Sequence, residues 1–552
     1  MPDTGFMEKT YQGVLDEQVL RSLEVVADRE KIRRVTEGYE GLLKEYPPQA
    51  LEARGRVPRE MLRKMADLGL FGLSIPESYG GMGLNLFEYL ETIKELSKTD
   101  LSVALVSIAH LSIGIKGIHL FGTEEQKRKY LVPAASGEMI FSYALTEPRV
   151  GSDAKHIETQ AALSQDETHY VLNGQKTYIT NANYAGGLTV FAQLDPANPG
   201  HMGAFIVETS WEGVKIGEDM PKMGLKASST AAIQFKDVRV PRENLLGRPG
   251  DGFKIAMTIL NFGRLGLGAA SVGHMEQAVE DMSRRARSRF QFGVPIEDFP
   301  LIQEKIARAR VHAFASDAMN TLTASLLEQD PHRNVAIETS HCKLFGTTRA
   351  WDALYDALQV SGGSGYLATQ PYEKRMRDFR VTTIFEGTTE IHSIYPPLFA
   401  LRRMSRRLDA TRQGRFAVLK FYWKQLTRRM QWPLKPPDRS LKKALRLAKA
   451  NARSIRWLLL AGSLWHRKNM PRQEFLLRRI THLSVTAYAL LAAVARLLPD
   501  AERGALREEH RILLEALVAE AREIRRANRR FLDSSRERKV PGVLEVVRRE
   551  VP

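Results

Sequence analysis

A mainly α-helical protein with a β domain in its middle is the fold class this sequence predicts. Three observations carry that expectation. Apolar residues recur at helical spacing before residue 140 and after residue 251, and between these points the spacing becomes strand-like alternation. The chain has 552 residues, more than one compact core holds, so several domains are expected. Its hydrophobic share of 43% fills large cores and excludes a disordered chain.

Residues 1–140 are expected to form an N-terminal helical domain. A helical stretch over 61–70 leads into a glycine-rich loop at 76–83, and helical spacing resumes over 87–105 and 122–131. Residues 141–250 form the β domain. Within it, 170–180 alternates around Asn173-Gly174, a strong hairpin signal, and 204–208 and 231–240 also have strand character. Residues 251–401 return to long helices broken by Gly and Pro. Residues 402–552 form a basic helical extension, broken at 433–437 and helical again over 438–552.

Charge divides the chain. Residues 401–552 hold 37 Lys+Arg against 14 Asp+Glu, a net of +23, whereas the whole chain is +17. The excess positive charge therefore lies entirely in the extension, which should favour polyanions or an anionic membrane surface. Cys342 is the only cysteine, which leaves no intrachain disulfide and no Cys-rich metal site. The first residues carry an early acid and no apolar run, unlike a signal or transit peptide. No apolar run approaches the ~20 residues that span a bilayer, and 481–495, free of Lys, Arg, Asp and Glu, is read as a buried helix.

Three clusters could carry chemistry. Thr146-Glu147-Pro148-Arg149-Val150-Gly151-Ser152-Asp153 could cradle a polar ring or phosphate, or simply turn a helix into a strand with an Asp cap. Gln359-Val360-Ser361-Gly362-Gly363-Ser364-Gly365-Tyr366 allows close backbone approach to a pyrophosphate, but it follows a helical run, so it is no Rossmann fingerprint and reads equally as a helix C-cap. Glu386, between Phe385 and Gly387, is either a general base whose pKa an apolar setting raises or a solvated surface glutamate.

The order of these clusters resembles the acyl-CoA dehydrogenase family. The likeness runs over residues ~50–400 through 121–127 (FGTEEQK), 143–148 (YALTEP), 151–153 (GSD), 178–180 (YIT), 252–254 (GFK), 289–293 (RFQFG), 359–363 (QVSGG), 377–378 (RD) and 385–388 (FEGT). The stretch from 473 (QEFLLRR) is similar to the extra C-terminal domain of very-long-chain members.

The resemblance implies an α domain, a β-barrel-like domain and an α-helical bundle, plus the extension, with FAD between the β domain and the bundle. It implies that Tyr143, Leu145, Thr146 and Ser152 bind the flavin ring, Ser152 also lying near acyl-CoA. Tyr178, Ile179 and Thr180 match the strand on the flavin, with Tyr where the family usually has Trp. Arg289, Gln291, Gln359, Gly362 and Gly363 match pyrophosphate and adenosine contacts, some made across a homodimer. Thr388 and Glu390 match another FAD contact. Asn261, Arg264 and Gly387 match the substrate stretch, and Gly114 and Gly117 the bottom of the acyl pocket, where glycine either leaves room for the chain or permits close helix packing. Arg149-Val150 departs from the small residues usual there. The implied activity is α,β-dehydrogenation of a long acyl-CoA: Glu386 takes the α-proton, flavin takes the hydride, and an electron-transferring flavoprotein takes the electrons.

The extension is open to more than one reading. Residues 415–432 pair bases with Phe416, Leu419, Trp423, Leu426 and Met430 on one face, which suits a membrane-surface helix or a helix packed on the body. Its density of Lys and Arg also suits a DNA-binding tail. A flavoprotein scaffold that assists assembly of respiratory complexes is a third reading. The expected location is cytoplasmic, peripheral on the inner membrane face, or the mitochondrial matrix for a mature eukaryotic chain.

Overall fold

A computed structural model describes residues 4–409, 423, 425 and 427–550. Helices fill the chain up to Ala135, strands run from Ile140 to Gly250, and helices resume at Gly252.

In the first helical region, α1 (Leu86–Thr99) opens with a capping box, Asn85 accepting from the Glu88 amide while Glu88 accepts from the Asn85 amide. The stretch expected to be continuous over 87–105 is interrupted at Asp100. Its backbone is extended there, and its side chain caps α2 (Leu101–Ala109) through the Val103 amide. Helix α2 passes into a π turn at His110–Gly114.

The strands are β1 (Ile140–Ala144), β2 (Gln160–Leu163), β3 (His169–Thr180), β4 (Ala185–Gln193), β5 (Met202–Glu208), β6 (Val214–Ile216), β7 (Thr230–Pro241) and β8 (Leu245–Gly250). They pair in the order β6-β7-β3-β2-β4-β5-β8, with β1 parallel to β4. The barrel-like expectation meets a mixed sheet whose hydrogen-bonded order has two ends, β6 and β8. The hairpin expected at Asn173-Gly174 is not there. Both residues lie inside β3, at a bulge between Leu172 and Gly174, and Asn173 bonds across to Asp237 of β7. The chain turns instead between β2 and β3, where Glu167 has φ +53° and Ser164 and Thr168 hydroxyls donate to Asp166. The Asn-Gly pair was overruled because the apolar alternation continues through it and β7 offers a long partner.

Three long helices follow: α3 (Gly252–Ser288), α4 (Pro300–Gln329) and α5 (Ala336–Ser361), with α3 packed on both others and on α1. Then come α6 (Thr389–Asp409) and the extension helices α7 (Arg439–His466), α8 (Glu474–Glu502), α9 (Glu508–Asn528) and α10 (Ser535–Glu550). Helix α8 contains the uncharged stretch 481–495 and is buried as expected, against α4 and α6. Among the described residues three helical stretches, 101–121, α3 and α8, are long and apolar enough to cross a membrane by length and composition, contrary to the sequence reading. Their apolar windows are 94%, 89% and 89% buried inside the protein, so the fold itself uses that surface.

The helical regions dock on the sheet at the π turn. The Phe141 amide donates to His110 Nδ1 at 2.9 Å, and the Thr189 hydroxyl donates to the Gly114 carbonyl at 2.8 Å. A Cβ on Gly114 would lie 2.5 Å from the Phe141 carbonyl oxygen, and one on Gly117 would lie 3.0 Å from Ile259 Cδ1. The Cβ positions of these two glycines are thus taken up by β1 and α3. These glycines permit close packing of helix on sheet.

Candidate active site

Glu386 sits on the short connection into α6, where the chain reverses. Its φ is +55° and that of Gly387 is +101°. Left-handed backbone at a glutamate is unfavourable and persists only where neighbours hold it. Three cationic or ring donors do so. Arg264 of α3 donates through Nε to the Glu386 carbonyl at 3.4 Å, and His392 Nε2 lies 3.1 Å from the same oxygen. Lys343 of α5 donates to the Gly387 carbonyl at 2.6 Å.

The carboxylate itself is left free. Glu386 Oε2 is buried and has no hydrogen-bond partner among the described residues. A Cβ on Gly263 would lie 2.5 Å from that oxygen, so α3 meets the acid at a position open only to glycine. Burial pushes the acid up to about 7, and the nearby charges of Arg264 and Lys343 pull the other way. Of the two readings open in sequence, a fully solvated glutamate does not fit the buried Oε2. An unsatisfied carboxylate poised near neutrality, among fixed positive groups, is built to take a proton.

Of the residues expected to bind substrate, Asn261 and Arg264 lie on the same α3 segment as Gly263. Arg264 is buried, with its guanidinium 5.7 Å from the centre of the Tyr395 ring. Asn261 accepts from the Thr339 hydroxyl at 3.0 Å. Tyr143 of β1 donates to the Ala256 carbonyl at 3.3 Å, and its hydroxyl feels both Arg264 and Glu386, which puts the first cluster beside the third.

The first cluster is a braced loop. Lys176 of β3 is fully buried and pairs with Glu147 at 2.7 Å while also donating to the Leu145 carbonyl at 3.0 Å. The Glu158 and Thr159 amides donate to the same carboxylate, and these bonds keep Glu147 ionised although burial opposes it. The Thr177 amide donates to the Thr146 carbonyl at 2.9 Å, so the loop runs alongside 177–180. There Tyr178 has φ +57° at a bulge and its ring is 68% exposed, while Ile179 points into the sheet core. Leu145 is buried and Ser152 is exposed. Arg149, the departure in this loop, swings outward to pair with Glu158 at 2.8 Å.

Arg289, Gln291, Gln359, Gly362 and Gly363 are all exposed. Arg285 joins the end of α3 to the end of α5 by donating to the Ser361 carbonyl at 3.4 Å, and its buried Nε has no partner among the described residues. Thr388 caps α6, its hydroxyl accepting from the Ile391 amide at 3.3 Å, and Glu390 is exposed in the first turn. Gly151, Gly362 and Gly363 each face open space where a Cβ would stand. Open backbone beside hydroxyls, an outward aromatic and an orphaned guanidinium nitrogen fits a planar ring system joined to a pyrophosphate.

Sequence reading missed Gly263, Ser340, Lys343, His392 and Tyr395. The polar run 338–343 in α5 looks like a solvated face, yet every one of its side chains is buried. Nothing in its spacing separates the two outcomes.

Models of the acyl-CoA dehydrogenase N-terminal, middle and C-terminal domains match residues 30–138, 142–238 and 250–394. The fold and site define an FAD-dependent oxidoreductase acting on a CH–CH bond. The chain belongs to the acyl-CoA dehydrogenase family. It is 35% identical to the very long-chain specific acyl-CoA dehydrogenase, mitochondrial, of Bos taurus over 83% of this chain and 73% of the bovine protein. It is 39% identical to an acyl-CoA dehydrogenase of Bacillus subtilis over 64% of this chain and 92% of that one. Among solved structures, an acyl-CoA dehydrogenase of Bacillus anthracis complexed with FAD superposes with a TM-score of 0.79 at 30% identity, over 96% of this chain and 94% of that one.

Proposed function

We propose that this protein dehydrogenates long acyl-CoA thioesters between Cα and Cβ, with Glu386 as the general base. The observation that carries this reading is the unpartnered Glu386 carboxylate, pressed against Gly263 and raised toward neutrality by burial. The loop 143–152 and the strand 178–180 would hold the FAD ring, and the glycines 362–363 would receive an FAD pyrophosphate; the flavin would supply an acceptor for the β-hydride. The chain's own part is to hold the thioester over Glu386, exclude water and keep the base unprotonated. Glu386→Gln is expected to retain FAD and lose at least ~10²-fold in rate, the usual lower bound for removing a general base. Near-normal turnover by that variant refutes the assignment.

Preference for long chains is supported by the names of the bovine and human relatives, very long-chain specific dehydrogenases. A substrate-length profile with a dye acceptor tests it, and fastest turnover of butyryl-CoA would end it. An electron-transferring flavoprotein is the proposed acceptor, tested by its reduction in a coupled assay; failure to reduce it while dye is reduced removes that partner. A homodimer is proposed from the exposed Arg289, Gln291, Gln359, Gly362 and Gly363, which the family resemblance assigns in part to a neighbouring subunit's FAD. Sedimentation as a single chain of 62.3 kDa rules it out. The basic extension is proposed to rest on an anionic membrane, in the mitochondrial matrix or on the inner face of a bacterial membrane according to source.

A further inference from the structure

His392 is almost wholly buried in the first turn of α6 and belongs to none of the motifs that identify the site. Its ring joins two elements. Nδ1 lies 2.7 Å from the Ser340 hydroxyl of α5, and Nε2 lies 3.1 Å from the Glu386 carbonyl. The ring also sets the backbone beside it, since a Cβ on Gly387 would lie 2.7 Å from His392 Nε2.

The chemistry fixes the protons. Arg264 of α3, and Lys343 and His341 of α5, bear on the imidazole, and with burial they keep it neutral against the pull of the Glu386 backbone. A neutral imidazole has one N–H. The Glu386 carbonyl can only accept, so the proton sits on Nε2, and Nδ1 accepts from the Ser340 hydroxyl. The other tautomer would set a lone pair against the carbonyl oxygen.

We propose that His392, oriented by Ser340, is a positioning residue for the base: it grips the Glu386 carbonyl and so holds the left-handed Glu386–Gly387 backbone that aims the carboxylate at the substrate. The assignment rests on Glu386 being the base. Arg264 shares the same oxygen at a longer distance, 3.4 Å, and Lys343 holds the next carbonyl, so His392 supplies the shorter of the two contacts to Glu386 itself. Without it the peptide can rotate toward a commoner conformation and carry the carboxylate out of its buried position.

His392→Leu, His392→Gln and Ser340→Ala are compared with wild type and Glu386→Gln, in the full-length FAD-loaded protein. His392→Leu should keep flavin absorbance and KM and lose about 10-fold in kcat, the size of one hydrogen bond to a reacting unit. The acid limb of its kcat/KM profile should move below its wild-type midpoint near 7, toward ordinary carboxylate values. The groups facing Glu386 that stay in place are Arg264, Lys343, Tyr143 and Tyr89. His392→Gln restores an N–H donor and should recover most of kcat. Ser340→Ala, which leaves the ring in place, should lose about 3-fold and covers the case in which the Leu variant does not fold. Wild-type kcat and pH profile in both His392→Leu and Ser340→Ala overturn the proposal, as does a Gln variant no better than Leu. Full activity of Glu386→Gln overturns the base assignment instead, so the two failures are distinguishable.

Discussion

At the scale of single residues, the site depends on how Glu386 is surrounded. Its carboxylate oxygen Oε2 is buried, has no donor among the described residues, and lies against a glycine on α3 within the field of Arg264 and Lys343. Desolvation disfavours the anion and the two cations favour it, and the balance leaves the acid near 7. The base works only when unprotonated. For free enzyme and substrate, kcat/KM should therefore rise with pH through a midpoint near 7 and fall tenfold per unit well below it. A flat profile between pH 5 and 8, measured at constant ionic strength, contradicts this. The motif around Glu386 was legible in sequence because Phe385, Gly387 and Thr388 are its immediate neighbours. Gly263, Lys343 and His392 were not, because they arrive from α3, α5 and one turn into α6, and nothing local marks a lysine or histidine that will end up buried.

At the scale of elements, the junction between the first helices and the sheet is the tightest point near the site. The π turn at His110–Gly114 presses on β1, which carries Tyr143, and β1 lies parallel to β4. In sequence Gly114 was open to two readings, room for the acyl chain or close helix packing, and a Cβ there would lie 2.5 Å from the Phe141 carbonyl oxygen, which favours packing. Gly114→Ala is therefore expected to lower stability by about 1–3 kcal/mol, the usual cost of overpacking, with no change in preferred chain length. Thermal denaturation alongside a substrate-length profile checks both halves. A stable variant that favours shorter substrates would restore the pocket reading. The strands of 204–208 and 231–240 were legible through their alternation, whereas the Asn-Gly turn was not where expected. Local turn chemistry competes with long-range pairing, and β7 runs alongside β3 through that position.

At the scale of the whole molecule, the extension is joined to the catalytic body by buried polar contacts. Tyr488 of α8 meets Thr323 of α4 at 2.6 Å, Ser484 meets His341 of α5 at 2.6 Å, and Glu520 of α9 pairs with His312 and Arg349. The N-terminal segment is tied in as well, through paired backbone bonds between Leu15, Gly13 and Gln431. A deletion reaching residue 437 would cut that pairing and remove the buried Leu434. The proposed membrane stripe at 415–432 lies mostly outside the described residues, with Phe416, Leu419 and Leu426 among them, while Trp423 is 71% exposed. Deleting 410–422 should weaken binding to anionic vesicles while FAD content and turnover of soluble substrate are kept. Each Lys or Arg at such a surface contributes about 1 kcal/mol, so the intact protein's binding should also weaken with salt. Vesicle binding unchanged by the deletion shows that the anchor is elsewhere, and tight binding to duplex DNA with none to vesicles favours a DNA-binding tail.

By itself the sequence determined the order of helical, strand and helical regions, the uncharged buried helix of the extension, the family, its cofactor and the acid in the Phe-Glu-Gly-Thr motif. Each of these is written in periodicity or in contiguous residues, where local sterics and burial act directly. Tertiary structure alone decided that Gly114 is filled rather than open, that the turn falls at Asp166-Glu167, and that the polar run of α5 faces inward. It also decided which groups surround Glu386. Those outcomes depend on contacts between residues far apart in the chain, where the free energy of a side chain is set by what packs against it.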